Sequence, residues 1–164
     1  MFALASHPAA STDELLQGLL EQSRAILAGE RDPVANAANV SALVFHTLPD
    51  LNWAGFYWMK GGELVLGPFQ GKPACVRIAL GKGVCGTAAR ERRTIVVPDV
   101  EKFPGHIACD SASRSEIVVP VMREGKVLGV LDLDSPVLSR FDEAHARALE
   151  QLVAEFVRAT DLAG

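Results

Sequence analysis

Residues 116–133 of the chain, EIVVPVMREGKVLGVLDL, contain the pattern that decides the fold. Two runs rich in valine, isoleucine and leucine, residues 116–122 and 127–133, are separated by the polar sequence Arg-Glu-Gly-Lys. Branched aliphatic residues favour strands, and a short polar connection that contains glycine favours an antiparallel turn. The segment therefore predicts a β-hairpin.

Upstream of this hairpin the sequence predicts further short strands. Residues 53–59 are rich in aromatic residues and are followed by the turn Lys60-Gly61-Gly62 and by a second strand at residues 63–66. Two shorter strands are expected at residues 75–78 and 94–97. Residues 98–114 contain proline, glycine and several serines, so we interpret them as a long functional loop.

Helices are predicted at both ends of the chain and after a glycine-rich turn. Ser11 and Glu14 have the spacing of a capping box for a helix at residues 11–28, and Asp32-Pro33 starts a second helix that ends before Pro49. A final helix is expected from Asp142 to about residue 160, and a short one from about Cys85 to Arg92, where it follows a glycine-rich turn at residues 81–86. These elements predict an α+β fold, in which a mostly antiparallel sheet is flanked by N- and C-terminal helices on one face.

Length and composition indicate one globular domain. The chain has 164 residues, of which 49% are hydrophobic and 22% charged. We expect residues 1–10 to form a flexible N-terminal leader and residues 11–164 to form the domain. The formal net charge is −4, and the small basic cluster at residues 90–93 is interrupted by Glu91, which disfavours nucleic-acid binding. Because no apolar stretch is long enough to span a bilayer and no secretory signal is evident, a cytoplasmic protein without membrane contact is predicted.

The three cysteines, Cys75, Cys85 and Cys109, fall at turn or loop positions in the middle of the chain. An odd number argues against a structural disulfide framework, and the absence of a CxxC pair argues against a metal site. They are therefore either inert core residues or redox-active thiols. Cys85 lies at a helix start, which favours the thiolate. His106 near Cys109 favours a thiolate there, whereas Asp110 opposes it.

An acidic set and an aromatic pair are the other candidates for a binding site. Asp132 and Asp134 are two residues apart on a strand and so share one face, and Glu116 and Asp110 lie nearby in the sequence. Such carboxylates suit a ligand with an ammonium group, although a solvated strand end is the alternative. Trp53 and Tyr57 share a face of their strand, where they either pack in the core or line a pocket.

Four segments carry a resemblance to a known family. They are GPFQGKPACVRI (residues 67–78), GKGVCGTAA (81–89), DVEKFPGHIACDSASRSEIVVPV (99–121) and LGVLDLDS (128–135). Together they resemble the free methionine-(R)-sulfoxide reductases, which are enzymes built on a single GAF domain. Other GAF domains share the pattern VPV…GKVLGVL but do not normally carry three cysteines in these contexts.

The resemblance implies reduction of free L-methionine (R)-S-oxide. By that similarity Cys109 attacks the sulfoxide sulfur, and Cys75 or Cys85 then forms a disulfide that thioredoxin reduces. The same similarity implies that the carboxylates Glu116, Asp132 and Asp134 hold the substrate ammonium and protonate the sulfoxide oxygen, while Trp53 and Tyr57 line the pocket. It further implies a homodimer that needs no metal or organic cofactor.

Two other functions are compatible with the residues alone. One is a stand-alone GAF module that binds a small molecule or senses oxidants without catalysis, and the other is a structural interaction domain. Thioredoxin-dependent turnover distinguishes the enzyme from both. Between the two candidate resolving thiols, the resemblance slightly favours Cys75 over Cys85.

Overall fold

The computed structural model describes residues 11–106 and 110–162. The expected leader at residues 1–10 lies outside the described part of the chain. No helix in the described ranges is both long and apolar enough to cross a membrane. In chain order the helices and strands are α1 (Thr12–Leu27), α2 (Pro33–Thr47), β1 (Trp53–Lys60), β2 (Glu63–Gly71), β3 (Arg77–Ala79), α3 (Gly83–Glu91), β4 (Ile95–Val97), β5 (Ser115–Arg123), β6 (Lys126–Ser135) and α4 (Glu143–Ala159), with a short 3₁₀ turn at Val100–Lys102.

The six strands form one antiparallel sheet in the order β3-β2-β1-β6-β5-β4. The hairpin predicted at residues 116–133 is β5 and β6, in which Val119 lies opposite Leu131. On its other side β6 pairs with β1, so both strands of this hairpin occupy inner positions of the sheet. The predicted antiparallel α+β fold is therefore confirmed.

One face of the sheet packs against α2 and α4, and α1 packs against these two helices. Alternate residues of the inner strands, among them Phe56, Ile117, Leu131 and Leu133, point to this face and are fully buried. The ring of Phe56 stacks on Phe156 of α4 with centroids 4.8 Å apart. This cluster is the larger of two cores, and it confirms the expectation that the terminal helices share one face.

The opposite face carries a smaller core under the short helix α3. Here Tyr57, Val118 and Val130 from the sheet meet Val84 and Ala88 of α3. Because α3 covers only part of this face, the strand ends beyond it are left to form a pocket. The two faces differ because successive side chains of a strand point to opposite faces of the sheet. The strand register therefore directs the acidic set to the face that carries α3 and the larger apolar cluster to the opposite face.

The structure moves several predicted boundaries. Strand β2 extends to Gly71, well past the predicted end at residue 66, because it stays paired along β1 as far as Trp53. Strand β3 starts at Arg77 rather than at residue 75. Helix α3 begins at Gly83, two residues earlier than expected, and Gly83 adopts a positive φ of 58° there. Cys85 is consequently the third residue of the helix.

Helix ends are closed by side chains, as the sequence indicates. Ser11 and Glu14 form the predicted capping box, and the Asp32 carboxylate accepts hydrogen bonds from the first turn of α2. At the other end of the chain, the guanidinium of Arg123 donates to the backbone carbonyls of Val157, Thr160 and Leu162. Strand β5 thereby holds the C-terminal end of α4.

Candidate active site

The register of three adjacent strands assembles the acidic set. Asp134 of β6 lies opposite Trp53 of β1 and opposite Glu116 of β5. Asp132, two residues earlier, lies opposite Val118 and so points to the same face. The prediction that Asp132 and Asp134 share a face is confirmed, and Glu116 is brought beside them from a separate strand.

These carboxylates are removed from solvent without a strong cationic partner. Glu116 is 5% exposed and Asp132 6% exposed, while Asp134 is half-buried. Within residues 11–106 and 110–162, neither Lys nor Arg forms an ion pair with any of the three, and the nearest basic atom is Nε2 of His106, 3.5 Å from Oε2 of Glu116. Burying ionised carboxylates in this way is costly. The alternative of a solvated strand end is therefore wrong for Asp132.

Burial changes the acid–base behaviour of the whole set. It raises the pKa of Glu116, Asp132 and Asp134 well above their usual values, and mutual repulsion among the three carboxylates adds to the rise. Burial also lowers the pKa of His106. A hydrogen bond between Glu116 and Asp132 lowers the pKa of the first and raises that of the second. A carboxyl whose pKa is raised in this way keeps its proton at a higher pH than usual, which suits the cluster to proton donation.

Cys85 points into the same acidic cluster. Its Sγ lies 4.0 Å from Oε1 of Glu116, and the residue is 4% exposed. Burial first, and then the charges of Asp132 and Glu116, raise the pKa of its thiol well above the ordinary value. The interpretation of Cys85 as an activated thiolate at a helix start is therefore wrong. The helix terminus is outweighed by loss of water and by two adjacent carboxylates.

Trp53 and Tyr57 form one wall of the pocket. Their rings are stacked with centroids 5.8 Å apart, and Trp53 also stacks on Phe69 at 5.3 Å. Each polar tip binds the segment that follows β2, since Trp53 Nε1 donates to the Lys72 carbonyl and Tyr57 Oη donates to the Cys75 carbonyl. The predicted pair thus lines the pocket and also positions the chain on its other side.

Of the other two cysteines, the structure describes Cys75 but not Cys109. Cys75 is half-buried and disulfide-bonded, whereas the thiol of Cys85 is free. Cys109 lies outside the described residues. Residues on either side of it are described, however, and both His106 and Asp110 line the pocket. The loop predicted to be functional therefore borders the acidic cluster.

Three polar contacts near this loop were not anticipated from the sequence. The Asn52 side-chain amide donates to Oδ2 of Asp110 and to Oγ of Ser113, and Lys72 Nζ lies 3.4 Å from Asp110 Oδ2. Asp110 therefore belongs to an ion pair at the rim rather than to the buried carboxylates. Asn52 sits just before a strand and carries no motif, so only its position in the fold reveals this contact.

The pocket as a whole combines an acidic floor, an aromatic wall and a polar rim. Its floor comes from β5, β6 and the start of α3, its wall from β1, and its rim from the segments after β2 and before β5. The side chains that define it are Trp53, Tyr57, Cys85, His106, Glu116, Asp132 and Asp134. Such a pocket suits a small zwitterion whose ammonium group meets the carboxylates and whose apolar end meets the rings.

A small-molecule pocket on one face of this sheet, with helices on the other, defines a GAF domain, and the GAF domain family profile matches residues 35–161. Similar proteins narrow this class. The chain is 50% identical over 142 residues to the free methionine-R-sulfoxide reductase of Escherichia coli, covering 87% of this chain and 86% of that protein. It is 47% identical over 148 residues to the enzyme of the same name from Saccharomyces cerevisiae, covering 85% and 82%. The chain belongs to the free methionine-R-sulfoxide reductase family of GAF domains.

A solved structure supports the same assignment. The chain resembles the X-ray structure of free methionine-R-sulfoxide reductase from Neisseria meningitidis in complex with its substrate, with a TM-score of 0.90 and 44% identity. The likeness covers 96% of this chain and 95% of that one. Fold and family predicted from the four sequence segments are thus confirmed.

Proposed function

We propose that this protein reduces free L-methionine (R)-S-oxide to L-methionine. The observation that carries the proposal is the buried carboxylate cluster of Glu116, Asp132 and Asp134, which faces an aromatic wall and forms no ion pair with lysine or arginine in the described residues. A free amino acid supplies the missing cation through its ammonium group. A methionine sulfoxide inside a protein chain has no free ammonium, so this site selects the free form.

The substrate would be held at both of its ends. Oδ1 of Asp132 is buried and lacks a hydrogen-bond partner, and Asp134 lies beside it at the more exposed end of the row. These two carboxylates accept the ammonium group. The terminal methyl group packs against Trp53 and Tyr57, whose faces are large, rigid and apolar.

The reaction begins with attack of the Cys109 thiolate on the sulfoxide sulfur. The attack forms a bond between Cys109 Sγ and the sulfoxide sulfur, and one proton from the pair of Glu116 and Asp132 converts the sulfoxide oxygen to a hydroxyl. The hydroxyl then passes to Cys109 Sγ as the substrate S–O bond and the transient S–S bond break. Methionine leaves with its sulfur reduced by two electrons, and Cys109 is oxidised by two electrons to a sulfenic acid. A proton donor near the oxygen is needed because an unprotonated oxygen is a poor leaving group.

Cys75 is the better resolving thiol for the sulfenic acid. It attacks the Cys109 sulfur, a disulfide forms, and the hydroxyl leaves as water after protonation. Cys75 is half-buried and already disulfide-bonded in the structure, whereas Cys85 is deeply buried and its pKa is raised by its surroundings. A thiol that stays protonated attacks slowly, which disfavours Cys85 in this role.

Turnover then requires an external dithiol, for which we propose thioredoxin. Two electrons from its thiols return Cys75 and Cys109 to the reduced state. This cycle places the protein in a reducing compartment such as the cytoplasm. As in the resemblance noted from the sequence, we propose a homodimer and no metal or organic cofactor in catalysis.

The decisive experiment measures loss of free methionine sulfoxide, resolved into its R and S forms, with thioredoxin, thioredoxin reductase and NADPH. We expect consumption of the R form only and no consumption by Cys109→Ser. Met122→Leu is a control on the far part of β5. Loss of neither form by the folded, reduced protein would instead support a GAF module that binds small molecules without catalysis.

A further inference from the structure

Cys85, Glu116 and Asp132 together present three donor atoms of the kind that bind metal ions. One sulfur and one carboxylate oxygen from each acid lie within 4.8 Å of one another, and all three residues are buried. They come from α3, β5 and β6, so three separate elements fix their positions. Thiolate and carboxylate groups are both established ligands of Zn²⁺.

A second, independent feature of the cluster points to a missing cation. Oδ1 of Asp132 is buried and has no hydrogen-bond partner, although the residue is only 6% exposed. Leaving a buried carboxylate oxygen without a partner is costly. Among residues 11–106 and 110–162, the buried positions include no lysine or arginine that could meet this oxygen.

We propose that Cys85, Glu116 and Asp132 form a binding site for one thiophilic divalent cation, with Zn²⁺ as the natural occupant. In a tetrahedral Zn²⁺ site a sulfur and an oxygen ligand lie about 3.6 Å apart, given Zn–S of about 2.3 Å and Zn–O of about 2.1 Å. Cys85 Sγ and Glu116 Oε1 are 4.0 Å apart, and the three donor atoms lie within 4.8 Å of one another. Side-chain rotation on metal binding would close these gaps, and water would complete the coordination.

Binding at this site replaces protons by the metal. The Cys85 thiol and the pair of Glu116 and Asp132 release their protons to solvent, and the ion's two positive charges leave one net negative charge on the thiolate and two carboxylates. The sequence spacing gives no sign of this site, because the ligands are 31 and 16 residues apart along the chain and none belongs to a close pair. The occupied site shares Glu116 and Asp132 with the proposed sulfoxide pocket, so the cation excludes the substrate.

The test uses the metal alone and so does not depend on the proposed reductase activity. In the Cys75→Ser/Cys109→Ser variant, Cys85 is the single remaining thiol of the chain. Titration of this reduced protein with Cd²⁺ should produce a sulfur-to-cadmium charge-transfer absorption band that saturates at one ion per chain. Added Zn²⁺ should abolish the band by displacing Cd²⁺.

Substitutions in this background assign the ligands. Cys85→Ser should remove the band, and Glu116→Gln or Asp132→Asn should weaken Cd²⁺ binding by about tenfold or more. Glu143→Gln, which alters an exposed carboxylate on α4, should leave the affinity unchanged. Circular dichroism checks that each variant is folded.

Three results would overturn the proposal. They are absence of the band in the folded parent, a band that Zn²⁺ fails to displace, and equal Cd²⁺ affinity in the parent and in both folded carboxylate variants. If a carboxylate variant does not fold, the parent titration and the Zn²⁺ displacement still decide the question. Failure of the metal titration would leave the sulfoxide assay untouched, and failure of that assay would leave this site untouched.

Discussion

The phenol of Tyr57 donates a hydrogen bond to the backbone carbonyl of Cys75, with the two oxygens 3.0 Å apart. Tyr57 lies in β1 at the centre of the pocket wall, and Cys75 lies in the segment between β2 and β3. The fold therefore ties the cysteine proposed to resolve the sulfenic acid to the same ring that is proposed to contact the substrate methyl group.

Tyr57→Phe should slow the resolving step more than the first chemical step. The ring and its stacking on Trp53 are kept, while the bond that fixes the Cys75 segment is lost, at a cost of about 1 kcal/mol in stability. Rapid-quench measurement should show an unchanged first release of methionine and slower disulfide formation. Thr94→Val, which removes an exposed hydroxyl bonded to Glu150, is the matched control. An equal loss in both steps would contradict this role.

Cys75→Ser and Cys85→Ser should separate the two candidate resolving thiols. Without Cys75, the protein should release one methionine per chain and then stall with thioredoxin, because no partner condenses with the sulfenic acid. Without Cys85, thioredoxin-dependent turnover should continue at a rate within about threefold of the original. Mass spectrometry of the stalled protein should identify a sulfenic acid. Stalling of the Cys85 variant instead would reverse the assignment.

Asp134→Asn should raise KM for the free sulfoxide by about 10-fold to 100-fold. Asparagine keeps the size of the side chain but loses the charge that attracts an ammonium group, and hydrogen bonds between charged groups contribute about 1.5–3 kcal/mol. The matched control is Asp161→Asn, which alters an exposed carboxylate paired with Arg31 outside the pocket. An unchanged KM for Asp134→Asn would show that the ammonium group binds elsewhere.

Asp132→Asn should stabilise the fold at neutral pH even as it impairs substrate binding. Burial raises the pKa of Asp132 above the value near 3.8 that it has when unfolded. The folded state therefore holds the proton more tightly, so its stability is greatest at low pH and falls as pH rises through 3.8 toward the folded pKa. Asparagine does not ionise, so the variant avoids this fall in stability. We expect the gain in unfolding free energy to be about 1–3 kcal/mol, the usual cost of burying an unpaired polar group.

Urea unfolding at several pH values checks the sign of this effect. The gain from Asp132→Asn should be small near pH 4 and should grow toward about pH 7. Asp142→Asn is an informative comparison, because the backbone hydrogen bond from His145 lowers the Asp142 pKa. Asp142→Asn should lower the unfolding free energy, and this loss should grow as the pH rises. The two substitutions therefore change the unfolding free energy with opposite signs. A gain for Asp132→Asn that is independent of pH would contradict the explanation.

Arg123→Met should destabilise the protein by roughly 2–3 kcal/mol. The guanidinium donates to three carbonyls at the end of α4, and methionine of similar length leaves all three without that donor. Thermal and urea unfolding measure the effect. Arg147→Met, on the exposed side of α4 where Arg147 pairs with Glu143, should change the unfolding free energy by less than about 0.5 kcal/mol.

Local sequence signals were sufficient to predict the antiparallel sheet and the helices that cover one of its faces. These signals are the hairpin at residues 116–133, the capping residues Ser11 and Asp32, and the alternation of aliphatic residues along the strands. These signals are local, because propensity, capping and alternation act over a few residues. The four motif segments likewise identified the family, and the shared face of Asp132 and Asp134 followed from strand geometry alone.

The state of Cys85 depends on tertiary structure. In the sequence it sits at a helix start, where a thiolate is favoured, but folding buries it against Glu116 and Asp132, which reverse that preference. Asn52 became part of the pocket rim for the same kind of reason, since its partners Asp110 and Ser113 are about 60 residues away along the chain.

The sequence by itself thus determined the elements, the sheet type, the family and the residue types of the site. Tertiary structure alone decided which carboxylates lose their water, which thiol stays protonated and which oxygen of Asp132 is left without a partner. The physical reason is that desolvation and charge–charge interaction depend on distances between residues that are remote in sequence. No local pattern encodes those distances, because they are set by the pairing of β1, β6 and β5 and by the packing of α3 on them.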